Sequence, residues 1–310
     1  MIHLRYKLST RALTQIFFLL LLCIGSTTST VTAGVFFPVD SIPQRYAVNA
    51  ARLCQEKNFE LAKKEIELAL MQPEEALDAY TWYTRGFIFK EIYKYQESEN
   101  RNSTSREIAV ESFLRARSLN SKHTEGNGDA ALKYLATTYF KDALYFAGNF
   151  NTLIDEKGDD AFRKYLSLLT TVGSQENTDK SGNAFYKTRG QRSLQLWMAD
   201  RCDKDMLNNM LSELNRAIDM DRMDCVTKYN VAIIHYNIGV NSGDNFIHCY
   251  EETERTGHLS MAKSALDTLL IQCGETREIV TALMNLNRFM KLDEEAAVYE
   301  LLLKEILEKD

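Results

Sequence analysis

Five segments of this chain carry three small or apolar residues in one spacing, four and then three. They are Ala62/Ile66/Ala69, Ala109/Phe113/Ala116, Ala161/Tyr165/Leu168, Met210/Leu214/Ala217 and Ala262/Leu266/Leu269. The first members stand 47, 52, 49 and 52 residues apart. On a helix this spacing puts all three side chains on one stripe. Recurrence at a fixed period of this length marks a repeat architecture. One helical hairpin cannot bury such a stripe alone, so neighbouring hairpins must stack.

The rest of the composition agrees with helix. The 310 residues include three prolines, Pro38, Pro43 and Pro73, and 14 glycines. Helix interiors tolerate few of either, and no alternation of apolar and polar residues is sustained, so the chain reads as all-α. The expected helices run over about 42–56, 59–71, 75–95, 104–119, 129–147, 159–171, 183–201, 205–220, 224–239, 259–272, 276–290 and 294–308, twelve helices in about six hairpins. Ser41-x-x-Gln44 and Thr104-x-x-Glu107 read as capping boxes, and Asp159 as the cap of its helix. Tyr46, Ala50 and Leu53 are expected on one inner face. Long polar insertions fall at 93–106 and 240–257.

A second echo has the same origin. Trp82-Tyr-Thr-Arg-Gly86 and Tyr186-Lys-Thr-Arg-Gly190 share an aromatic-x-Thr-Arg-Gly pattern 104 residues apart, two of the long periods. Two helices approach closely only where the crossing carries small side chains. Ala50, Gly86, Gly190 and Ala232 are candidates in the first helices, and Ala62, Ala109, Ala161 and Ala262 in the second.

Residues 1–33 read as a cleaved signal peptide, 34–40 as a linker and 41–310 as the repeat domain. Arg5, Lys7 and Arg11 precede an apolar run from Ile16 to Ile24, and Val31-Thr32-Ala33 offers small residues for cleavage. That run is shorter than the roughly 20 apolar residues that span a bilayer. The expectation is an exported chain, in a periplasm, a cell envelope or the medium, with no stable membrane insertion after cleavage. Losing three basic residues and no acid takes the net charge from −6 to −9. An acidic product argues against nucleic-acid binding through a basic field.

Five cysteines lie beyond the leader: Cys54, Cys202, Cys225, Cys249 and Cys273. They contain no C-x-x-C, which argues against zinc ribbons and redox pairs. Most sit on or beside helical stripes and read as small apolar residues. Cys202–Cys225 and Cys249–Cys273 are the pairs considered for bridging in an oxidising compartment.

No G-x-S-x-G, H-E-x-x-H or phosphate-binding glycine loop occurs. His248, Cys249 and His258 match no standard zinc spacing. The acidic run Asp155–Asp160 has Lys157 where a calcium loop needs a ligand. Gly126-x-Gly128 reads as loop, and Asn102-Ser-Thr104 as a glycosylation sequon. No catalytic, metal or cofactor site is expected.

The pattern resembles the tetratricopeptide repeat. Tyr46, Ala50, Leu53, Phe59, Ala62, Ile66 and Ala69 are similar to one whole repeat of that family. Trp82, Gly86, Phe89, Ala109, Phe113 and Ala116 are similar to a second, and Val231, Ala232, Tyr236 and Gly239 to part of a later one. The sixth hairpin places Ala297 35 residues after Ala262. Here the repeats are lengthened by insertions, as in exported envelope members of the family. The resemblance implies an α-α superhelix, a solenoid whose first helices line a concave face. Carried over, that face holds Tyr83, Phe87, Lys90, Lys187, Gln191, Tyr229, Ile233 and Tyr236. Such a groove would suit a protein or peptide partner, by apolar anchoring and charge-assisted hydrogen bonds. Packing against the next hairpin is the competing role for each residue. The implied function is a non-catalytic scaffold; the alternative is a helical glycan-binding or glycan-processing envelope protein.

Overall fold

The computed structural model describes residues 45–151, 156–174, 178–240 and 249–309. Among them every regular element is a helix. In chain order these are α1 (Tyr46–Gln55), α2 (Phe59–Leu70), α3 (Pro73–Ala76), α4 (Ala79–Tyr95), α5 (Thr104–Leu119), α6 (Ser121–Thr124) and α7 (Asn127–Asn149). Then follow α8 (Glu156–Thr171), α9 (Thr178–Trp197), α10 (Lys204–Met220), α11 (Cys225–Gly239), α12 (Glu252–Cys273), α13 (Arg277–Phe289) and α14 (Asp293–Lys309). The fold is all-α, an α-α superhelix of six hairpins: α1/α2, α4/α5, α7/α8, α9/α10, α11/α12 and α13/α14. The one-turn helices α3 and α6 serve as links. Contact runs to the following hairpin: α1 and α2 meet α4, α4 and α5 meet α7, α7 meets α9, α10 meets α11, and α11 and α12 meet α13.

All fifteen stripe positions are inside, none more than 6% exposed. The four-three spacing therefore marks the buried seam of each second helix. The motif glycines explain how the first helices fit against it. A methyl group at Gly86 would stand 2.9 Å from the Phe113 ring, and one at Gly190 would stand 2.6 Å from Leu214. Phe113 and Leu214 are the middle members of their triplets, so glycine and large residue form one crossing. The interior is divided: one cluster extends from Ala47 to Tyr186 and includes Ala217, a second centres on Trp197, Met210 and Ile234, and a third on Ala232, Leu266 and Leu283.

Several boundaries differ from the sequence expectation. Arg45 is extended and α1 starts at Tyr46, which is 40% exposed; Ala47, Ala50 and Leu53 form its inner face. Ser41 lies outside the described residues. The buried Glu75 carboxylate supplies the missing cap, accepting hydrogen bonds from the backbone N–H of Tyr46 (3.2 Å) and Ala47 (2.9 Å). The helix expected over 75–95 is broken at Asp78, which caps α4 through the Tyr80 N–H. Ser103, one residue before Thr104, caps α5 by accepting from Arg106 N–H. Asp159 lies within the first turn of α8 and pairs with Arg189 instead of capping. Helix α12 begins seven residues before 259, because Glu251 and Glu254 form a capping box. In α14 the buried alanine is Ala296; Ala297 is exposed.

The cysteine pairing also differs. The bridges are Cys202–Cys249 and Cys225–Cys273, with Cα separations of 4.9 and 6.1 Å, and Cys54 is free. Neighbours along the sequence do not pair. α11 and α12 are antiparallel, so the start of one meets the end of the other. Burial pushes the Cys54 thiol up to about 11, which leaves it protonated at neutral pH.

Candidate functional site

Helix α4 presents two chemically distinct faces. Tyr83, Phe87 and Lys90 are spaced four and three apart, so they share one face. The Tyr83 and Phe87 ring centres are 4.9 Å apart, and both rings stand edge-on to Phe113, at 6.0 and 5.2 Å. Both are half-buried, and burial raises the Tyr83 phenol above its ordinary value. Lys90 Nζ lies 4.8 Å from the centre of the Phe87 ring and 6.0 Å from that of Tyr134 on α7. It also pairs with Glu91 at 2.5 Å.

Tyr134 extends this surface from the next hairpin. Its hydroxyl donates to Glu99 Oε1 at 2.6 Å, while Lys141 Nζ reaches the other carboxylate oxygen at 3.3 Å. These donors hold the Glu99 carboxyl below its usual range. Ser98 and Glu99 have positive φ, 50° and 56°. The contacts to α7 thus fix a backbone conformation that non-glycine residues seldom adopt. The insertion between α4 and α5 is in this way packed beside the aromatic row, at its edge.

The other expected site residues lie apart from this row. Tyr229, Ile233 and Tyr236 are half-buried on α11 and pack against the third cluster. Lys187 forms an ion pair with Asp224 at 2.9 Å, at the start of α11, and Gln191 is exposed. Asp224 accepts from Lys187, Asn183 and Thr227, which holds its carboxyl down at about 2. Lys187 therefore works as a link between hairpins. Of the eight residues, Tyr83, Phe87 and Lys90 form one surface, and Tyr229, Ile233 and Tyr236 form part of a second packing face.

On the opposite face of α4 is an open cleft of about 330 Å³, lined by Lys63, Glu67, Arg85, Phe89, Glu97 and Ser105 among others. Arg85 pairs with Glu67 on α2 at 3.1 Å, donates to Ser112 on α5 at 2.9 Å, and stacks 5.0 Å from the Phe89 ring centre. Glu97 accepts from Ser103 and Ser105. Arg85 already faces a carboxylate, and Lys63 lies over the Phe89 ring, 5.8 Å from its centre. Arg85 is the arginine of the repeated five-residue pattern. Its counterpart Arg189 joins Asp159 on α8 at 2.5 Å to the buried Glu213 on α10 at 3.5 Å. Burial pushes the Glu213 carboxyl up. In both copies one guanidinium bridges three helices.

Comparison with known proteins adds little. No protein-family model and no curated protein matches this chain. A solved structure of Pseudomonas aeruginosa pilF is 13% identical, over 84% of this chain and 90% of that one, with a TM-score of 0.29.

Sequence reasoning missed Tyr134 and Glu99, because only the packing of α4, its loop and α7 brings them beside Lys90. Two of the three residues that match no standard zinc spacing are engaged elsewhere. Cys249 is in a disulfide, and His258 bonds to His235, with ring nitrogens 2.7 Å apart. His248 lies outside the described residues. No group of three His, Cys, Asp or Glu suited to a metal ion occurs among the described residues.

Proposed function

We propose that this chain is an exported tetratricopeptide-like scaffold that binds a protein or peptide through the Tyr83, Phe87, Lys90 and Tyr134 surface. The observation that carries this reading is the geometry of that surface: half-buried rings from two successive hairpins, with Lys90 over both Phe87 and Tyr134. Tyrosine and phenylalanine already fixed by packing lose little entropy when a partner covers them. Lys90 adds a charged hydrogen-bond donor at their rim.

Two further observations support export. The first 33 residues have the order of a secretory leader. Two disulfides join four of the five remaining cysteines, as suits an oxidising compartment. No described helix is long and apolar enough to cross a membrane.

The test is a partner screen with the purified chain, followed by titration of whatever is retained. Lys90→Glu with Lys94→Glu, an exposed lysine one turn further along α4, changes charge on that helix and leaves Tyr83 and Phe87 packed on Phe113. We expect a tenfold or greater loss of affinity with an unchanged circular dichroism spectrum. Equal affinity for the double variant, with loss on substituting Lys63, would move the site to the opposite cleft.

A further inference from the structure

The α11/α12 hairpin holds a group of titratable side chains that the binding surface does not use. His235 of α11 and His258 of α12 meet through their Nδ1 atoms at 2.7 Å, with ring centres 5.0 Å apart and planes 29° from parallel. A hydrogen bond between two Nδ1 atoms needs one proton between them. One ring is the Nδ1–H donor and the other carries the lone pair. Both rings are half-buried.

The place of the pair in the hairpin is specific. Cys225–Cys273 ties the start of α11 to the end of α12. His235 is ten residues further along α11, about 15 Å at 1.5 Å per residue. Next to the pair the two helices cross tightly: a methyl group on Gly239 would stand 2.5 Å from Leu259. Tyr250 stands edge-on to His258 at 5.8 Å, its hydroxyl donating to the Arg201 carbonyl, and adjacent Cys249 is bonded to Cys202. The start of α12 is therefore anchored to the α9–α10 turn. The end of α11 is held to it by the Gly239–Leu259 crossing and the histidine pair.

We propose that the His235–His258 pair is a two-step proton switch that keeps the far end of the α11/α12 hairpin closed with one added proton and opens it with two. The first proton adds to the outer Nε2 of the donor ring. That ring becomes an imidazolium whose Nδ1–H still points at its partner, and a charge-assisted hydrogen bond replaces a neutral one. The second proton must take the remaining Nδ1 lone pair. Two N–H groups then face each other between two like charges, and the contact cannot persist.

The surroundings assign the order. Burial acts most strongly on His258 and opposes its charge; Glu254, one turn before it on α12, favours that charge, and Lys204 of α10 opposes it while pairing with Glu254 at 2.6 Å. Tyr250, also beside His258, stays a neutral phenol because burial raises it. His235 is opposed by burial and by His258 itself, which hold it down at about 4. His258 takes the first proton and His235 the second. Both folded-state values lie below the ordinary 6.5, so the unfolded chain binds protons first. The pair's contribution to stability is whole above about 6.5 and is lost as the pH falls toward about 4.

The test is a nuclear magnetic resonance titration of both imidazoles in the full chain from pH 7.5 to 3.5, with amide exchange measured at each pH. The expected result is a first step at His258 with the nitrogen–nitrogen coupling retained, and a second at His235 where the coupling vanishes. At that second step, exchange protection over residues 234–239 should fall at least tenfold, while α4 and α5 are unaffected. His235→Phe with His258→Phe should keep its protection across the same range. Simultaneous titration of the two rings, or loss of the coupling at the first step, would overturn the switch. So would loss of protection in the double variant at the same pH as in the parent. If the double variant does not fold, the order of the two steps in the parent chain still decides.

Discussion

At the scale of single residues, the repeat is set by close approach between a glycine and a large side chain. Gly86 faces the ring of Phe113, which is fully buried and has no room to withdraw. Gly190 faces Leu214 and also its backbone nitrogen, at 3.3 Å. Gly86→Ala and Gly190→Ala should therefore each lower stability by about 1–3 kcal/mol, the usual result of overpacking a filled interior. Gly148 is the internal contrast: a methyl group there would meet only the Thr188 side chain at an ordinary 3.5 Å. Gly148→Ala should be neutral or stabilising, by up to about 1 kcal/mol, because alanine is the better helix former. Urea unfolding of the three variants measures this, and equal midpoints for all three would remove the crossing argument. The repeated arginine belongs to this scale as well. Arg85 and Arg189 each reach the second helix of their own hairpin and that of an earlier one, so the pattern conserves a bridge as well as a crossing.

At the scale of elements, the sequence was most readable where one helix carries the signal by itself. Spacing along a helix is a local property, so the five triplets could be read as buried stripes and are buried. Contacts made by two elements were not readable. The pairings Cys202–Cys249 and Cys225–Cys273 follow from the antiparallel packing of α11 and α12 and from the anchoring of the segment before α12. The same holds for Tyr134 beside Lys90 and for His235 on His258. The start of α12 was misread for a different reason: its capping box is built from Glu251 and Glu254, where sequence reasoning looks for serine or threonine. The disulfides carry a prediction at this scale. Each closes a loop of nearly fifty residues, with sequence separations of 47 and 48. Cys225→Ser with Cys273→Ser should cost about 2–4 kcal/mol, mainly by freeing the unfolded chain. Because the two loops overlap, removing both bridges should cost less than the sum. Denaturant unfolding of the single-bridge and no-bridge variants tests that, and strict additivity would show that the loops act independently.

At the scale of the whole molecule, contacts run between hairpins that are neighbours in the chain, and this determines how the array should respond to losing an end. The α13/α14 hairpin rests on α11 and α12, through Ile279, Ala282, Leu283 and Leu286 in the third cluster. The first cluster, from Ala47 to Tyr186 with Ala217, receives nothing from it. In a stack held by nearest-neighbour interfaces, removing the last unit should leave the earlier ones folded and uncover one apolar face. A chain ending at Cys273 keeps both disulfides and should retain the helical signal of its remaining residues. It should also expose Leu266 and Leu269, now buried, and self-associate as concentration rises. Circular dichroism and light scattering on the shortened chain separate these outcomes. Loss of helix throughout would mean that the hairpins fold as one cooperative body, with coupling that reaches beyond adjacent units.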